Sequence, residues 1–107
     1  MKFEDVYRGD NPTFKRQLKI DGVPVDLEGS EIKFAVKQNP EDTEYLIEAA
    51  LCNIDVAAEG KFSITLTSEQ TATVCEKAHA EFQWKDSNNN ILTIERFFLN
   101  IHKDIVA

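Results

Sequence analysis

Strict alternation of apolar and polar residues is the feature that most limits what this chain can fold into. Ile32, Phe34 and Val36 alternate with Glu31, Lys33, Ala35 and Lys37. Phe62, Ile64 and Leu66 alternate with Ser63 and Thr65, and Ala80, Phe82 and Trp84 with His79, Glu81 and Gln83. Successive side chains of a strand point to opposite faces, so each run predicts a strand with one buried and one wet face. Phe14, Leu18 and Ile20 share a parity within Thr13 to Ile20, and Asp21-Gly22 turns the chain after them. Asn39-Pro40-Glu41-Asp42 and Asp86-Ser87-Asn88-Asn89-Asn90 read as polar connections. Short links between strands favour antiparallel neighbours, and without crossover helices parallel βαβ units are excluded. The pattern predicts an all-β fold, a β-sandwich of about seven strands. Its core would hold Phe14, Leu18, Ile32, Phe34, Val36, Phe62, Ile64, Leu66, Phe82 and Trp84.

Three stretches are less regular. Glu44 to Val56 reads as two short strands, although Glu48-Ala49-Ala50-Leu51 would suit a helix in isolation. Thr67 and Gln70 have capping-box spacing, so Thr67 to Val74 predicts one short helical turn. The last strand, Ile91 to Ile101, changes phase: Leu92, Ile94 and Arg96 share one face, Phe97, Leu99 and Ile101 the other. Either a β-bulge near Glu95-Arg96 brings the apolar groups to one side, or the strand is covered on both faces. Its seven large apolar residues exceed what one face can carry. Phe97, Phe98, Leu99 and Ile101 are therefore the candidate interface, an exposed surplus being the mark of a contact surface.

A length of 107 residues, 42% of them hydrophobic, suits a single domain spanning 1–107. The 12 Lys+Arg against 19 Asp+Glu give a net charge of −7, which would repel phosphate backbones, so no nucleic-acid partner is expected. No apolar run approaches the roughly 20 residues of a membrane-spanning helix, so no membrane partner is expected either. Met1-Lys2-Phe3-Glu4-Asp5 carries acids where a signal peptide is apolar, which predicts folding in the cytoplasm of the producing cell. Cys52 and Cys75 lack a CxxC or Cys/His cluster and read as reduced, buried or half-buried thiols rather than a disulfide or metal site.

Catalytic chemistry has no visible foothold. Glycine stands only at positions 9, 22, 29 and 60, which leaves no phosphate-cradling loop. Cys75 lies near His79 in sequence, but in a strand-rich fold that spacing fixes no geometry. The Glu41-Asp42 pair sits beside Pro40 in a loop and reads as solvated surface. No catalytic, cofactor-binding or metal-binding residue is assigned, and no cofactor is expected. Arg8-Gly9-Asp10, before Asn11-Pro12, reads as turn chemistry rather than an adhesion tripeptide. The alternative function is a small carbohydrate-binding or adhesin-like module using exposed aromatics, with Trp84, Tyr7 and Tyr45 as candidates. The parity of Trp84 with Phe82 places it in the core instead.

Several segments together resemble a known family. They are Tyr7-Arg8-Gly9-Asp10, the strand from Phe14 to Ile20, Asp21-Gly22-Val23-Pro24-Val25-Asp26-Leu27-Glu28-Gly29-Ser30 and Ile32-Lys33-Phe34-Ala35-Val36. Further on come Gly60 to Thr67 leading into Glu69-Gln70-Thr71, and Ala80 to Asp86 leading through Asn88-Asn89-Asn90 to the closing strand. The arrangement is similar to the immunoglobulin-like N-terminal domain of phage upper baseplate proteins and related tail and fibre domains. Glu28 replaces a usual Thr, Glu76-Lys77-Ala78 replaces a usual "pG" turn, and the chain ends at Ala107 before the family's long C-terminal extension. The resemblance implies an immunoglobulin-like antiparallel β-sandwich and a non-catalytic structural module, attaching a receptor-binding or fibre component to the virion. Its implied partners are other virion structural proteins or a homo-oligomer, and its implied location is the virion, after synthesis in the bacterial cytoplasm.

Overall fold

The computed structural model describes residues 2–105 and builds them almost entirely from strands. In chain order these are β1 (Phe3–Tyr7), β2 (Thr13–Gln17), β3 (Lys19–Ile20), β4 (Val23–Pro24), β5 (Glu31–Lys37), β6 (Ile47–Leu51), β7 (Asn53–Val56), β8 (Lys61–Thr65), β9 (Cys75–Lys85) and β10 (Ile91–His102). A 3-10 turn, Ala57–Glu59, separates β7 from β8. Five strands make one sheet, in the order β1-β10-β9-β5-β6, and three make a second, β2-β8-β7. The sheets face each other as a sandwich. Between them Phe14 of β2 meets Phe34 of β5 and Phe97 of β10, and Phe62 of β8 meets the edge of Phe82 of β9. Offset and edge-on pairs of this kind fill a core while matching ring edges to ring faces.

The alternating runs behave as their pattern predicts, except that Ser63 of β8, expected on the wet face, is also buried. Ile32, Phe34 and Val36 of β5, Phe62 and Ile64 of β8, Leu66 just beyond it, and Phe82 of β9 are buried, as is Phe14. Leu18 and Trp84 correct the predicted core: both are only half-buried against it. Leu18 lies where the first predicted strand breaks into β2 and β3, and Ile20 beyond the break is exposed rather than inward. The break exists because β3 and β4 form their own hairpin around Asp21-Gly22. Both residues have positive φ (51° and 79°), the backbone that a two-residue hairpin turn requires. This hairpin and β1 raise the predicted seven strands to ten among the described residues.

β1 brings a pairing that local pattern cannot show. It lies parallel to β10, with Phe3 beside Phe98 and Tyr7 beside His102, the rest of the chain serving as the long connection that parallel strands need. The predicted helix at Thr67 to Val74 is a hydrogen-bonded turn instead. The capping box does form: the Thr67 N–H donates to Gln70 Oε1 and the Gln70 N–H to Thr67 Oγ1. The backbone makes two returns, from Thr71 N–H to Thr67 O and from Ala72 N–H to Glu69 O, before β9 begins. Thr71, wholly buried, turns its hydroxyl onto the Asp10 carbonyl.

The one 3-10 turn depends on Gly60. Gly60 has a φ of +70°, and a Cβ there would lie 2.5 Å from the Leu18 carbonyl oxygen and 2.9 Å from that of Val25. Only glycine meets both demands. Gly60 thereby ties the end of β2 to the start of β8, its carbonyl accepting from Leu18 N–H at 2.8 Å. Lys77 is the counter-example. It holds a φ of 52° at the bulge in Glu76-Lys77-Ala78, and Asn100 Oδ1 takes its N–H.

Candidate docking face

The five-stranded sheet turns one face to the core and leaves the other uncovered, so β10 is the place to begin. A register shift between Thr93 and Glu95 leaves Ile94 as the extra residue, one position before the predicted bulge. It moves Phe97 into phase with Leu92, and from there the strand alternates regularly. Of the four candidate interface residues, Phe97, Leu99 and Ile101 consequently point into the core, with exposures of 0%, 0% and 2%. Buried in the core, their side chains are unavailable to a partner. Phe98 alone of the four faces outward, and it is half-buried by its neighbours on that face.

Those neighbours form a row across the strands. The register places Phe3 of β1 beside Phe98 of β10, Phe98 beside His79 of β9, and His79 beside Lys37 of β5. Ring centroids are 5.0 Å apart for Phe3 and Phe98 and 5.1 Å for Phe98 and His79. Lys37 Nζ lies 4.6 Å over the ring of Tyr45, which precedes β6. Side chains directly opposite each other on one face are the ones that interact in a sheet, which accounts for a continuous strip of mostly aromatic surface. Phe3 is 48% and Tyr45 46% exposed, so both ends of the strip are open. His79 Nδ1 is buried beneath the strip without a hydrogen-bond partner.

Beside the strip lies a hollow of ≈ 190 Å³, whose lining includes Lys33, Ala35, Lys37, Tyr45, Ala49 and Arg96. Ala35 and Ala49 explain it: two methyl side chains stand among long ones, so the surface dips between them. Arg96 is aimed by Glu81, whose carboxylate takes its Nε–H at 2.9 Å and the Thr93 hydroxyl at 3.1 Å. Among the described residues neither Lys33 nor Lys37 pairs with a carboxylate. Farther along β1, Asp5 accepts from His102 and Asn100, and these hydrogen bonds, His102 first, hold its carboxyl below the usual carboxylate range.

The opposite, inner side of the same strands is closed by charge as well as by hydrocarbon. Arg16 of β2 donates to Glu95 at 2.9 Å and to Glu4 at 3.3 Å, and its guanidinium stands 5.5 Å from the Phe82 and Phe97 ring centroids. Glu4, an inward-facing charge on edge strand β1, also discourages addition of a further strand there.

The other singled-out residues are elsewhere. Arg8 is tied to Asp104 at 2.7 Å, and the Gly9 N–H to Thr71 O, so Arg8-Gly9-Asp10 is an anchored turn. Tyr7 and Tyr45 are exposed at opposite edges of the five-stranded sheet, and Trp84 is half-buried with its Nε1 unpartnered. Cys52 and Cys75 are free and buried, and burial pushes the Cys52 thiol up to about 12. No helix of the described residues is long and apolar enough to cross a membrane. Sequence reasoning missed the hollow, having treated Lys33, Ala35, Lys37, His79 and Glu81 only as the wet halves of alternating strands. The available signal was a small residue, Ala35, at an outward position between two lysines.

Residues 5–107 match the family model of the BppU N-terminal domain. Among solved structures the chain is similar to the N-terminal domain of ORF48 of phage TP901-1, with a TM-score of 0.58 and 12% identity over 90% of this chain and 82% of that one. At that identity the likeness concerns the fold. Curated protein sequences provide no match.

Proposed function

Because the chain belongs to the BppU N-terminal domain family, that of the phage upper baseplate protein, we propose that it is an attachment module of the virion that works through protein–protein contacts and without catalysis. The family match over nearly the whole chain is the observation that carries this reading. Support from the fold is the division of labour within the five-stranded sheet: its inner face makes the core, and its outer face offers an aromatic strip and a lined hollow. A surface of this kind fits contact with another virion component or with a further copy of the chain. The test is to purify particles from the phage or prophage that carries the chain and probe them with an antibody against it. The chain should copurify at fixed stoichiometry and label one end of the tail. Particles that lack it, or an enzymatic turnover removed by Cys75→Ser or His79→Ala, would refute the proposal.

A further inference from the structure

We propose that the hollow between Ala35 and Ala49 receives an acidic side chain of a neighbouring virion polypeptide, whose nearby apolar residue lies on Phe3 and Phe98. This names the partner chemistry of the docking reading above and rests on it. Charge is the first argument. The hollow is lined by three cations, Lys33, Lys37 and Arg96, against one carboxylate, Glu81, which is already engaged by Arg96 and Thr93. The protein as a whole carries −7, so a positive hollow stands against its average and is complementary to a carboxylate.

Preorganisation is the second. Tyr45 lies under the Lys37 ammonium and Glu81 aims Arg96, so two of the three cations give up little side-chain freedom when an anion arrives. Size is the third. A hollow of ≈ 190 Å³ is well above what a single water needs, and it has room for one acidic side chain. Geometry then sets the spacing of the partner's residues. Phe98 and Lys37 share a row but stand on β10 and β5, two interstrand steps apart, or about 10 Å. The hollow's centre, between β5 and β6, lies about half a step farther, and side chains of an extended segment share a side only at even spacing, so the acidic and apolar residues of the partner stand about four positions apart.

The test uses the whole chain in assembling particles and in solution. Lys33→Glu with Lys37→Glu should lower incorporation into particles at least about tenfold, since like charges facing a carboxylate repel it, with an unchanged urea midpoint. Lys15→Glu with Lys61→Glu, on the three-stranded sheet, should leave incorporation as it is. In solution, a capped peptide with Leu and Glu four positions apart should shift the amide resonances of Lys33, Ala35, Lys37 and Arg96, more weakly with added salt, and its Gln counterpart should not. Full incorporation of the Lys33→Glu, Lys37→Glu chain beside normal wild-type incorporation overturns this inference alone. Absence of the wild-type chain from particles overturns the attachment reading, and this one with it. Equal shifts from the Gln peptide, or no shifts at millimolar peptide, overturn the carboxylate assignment. Shifts at the same residues on raising protein concentration alone would make the occupant a second copy and overturn it too.

Discussion

Phe97 and Phe98 are neighbours in the chain, yet the sheet uses them in opposite ways. Phe97 is fully buried among Phe14, Phe34 and Phe82, three rings drawn from both sheets. Phe98 rests on Phe3 and His79, both on the open face. The difference teaches that an apolar-rich strand is not by itself an interface. What decides is the phase that the bulge at Ile94 imposes, which sends Phe97, Leu99 and Ile101 inward and leaves Phe98 as the one large apolar group among them on the face that remains free.

The largest contrast should come from truncating the pair. Phe97→Ala should cost about 3 to 5 kcal/mol, because it empties a site among packed rings. Phe98→Ala should cost about 1 to 2 kcal/mol, the order of two aromatic contacts on an open face. Urea unfolding of the two variants measures this directly, and equal losses would erase the distinction between the faces.

Glycine offers a second contrast, between a packed junction and an open turn. Gly60→Ala should cost about 2 to 4 kcal/mol, joining the left-handed penalty to a clash with two carbonyls. Gly22→Ala, at similar φ with nothing within 4 Å, should cost only about 1 to 2 kcal/mol. Thermal or urea midpoints would rank the two.

Much of this fold was legible because its information is local. Three alternating runs became β5, β8 and β9 with the predicted side inward. What escaped was non-local. The parallel place of β1 beside β10 depends on residues nearly the whole chain apart. Thr67 to Val74 carries a true capping box, but its β-branched Thr71, Thr73 and Val74 favour a turn that hands the chain to β9. The hollow was illegible for the same reason: Tyr45 reaches Lys37 only after a loop folds back over β5.

The inner face should also betray itself in alkali. The Cys52 thiol is pushed from an ordinary 9.0 up to about 12 by burial, so the folded state favours the neutral thiol. Its contribution is complete below pH 9 and is lost as pH rises from 9 towards 12, because the unfolded chain ionises first. Wild-type stability should therefore fall across that window, and Cys52→Ala should flatten the fall. Native Cys52 should likewise resist thiol reagents at pH 8. The smallest effect expected is a gain: Lys77→Gly relieves a side chain held at a φ of 52° and should add up to about 1 kcal/mol.

A reconstruction of the assembled baseplate by electron microscopy tests the central claim most directly. The account predicts that a neighbouring polypeptide covers the outer face of β5, β9 and β10, with a carboxylate beside Lys33, Lys37 and Arg96. It is contradicted if that face is bare to solvent in the assembled particle and the chain is held instead through the three-stranded sheet.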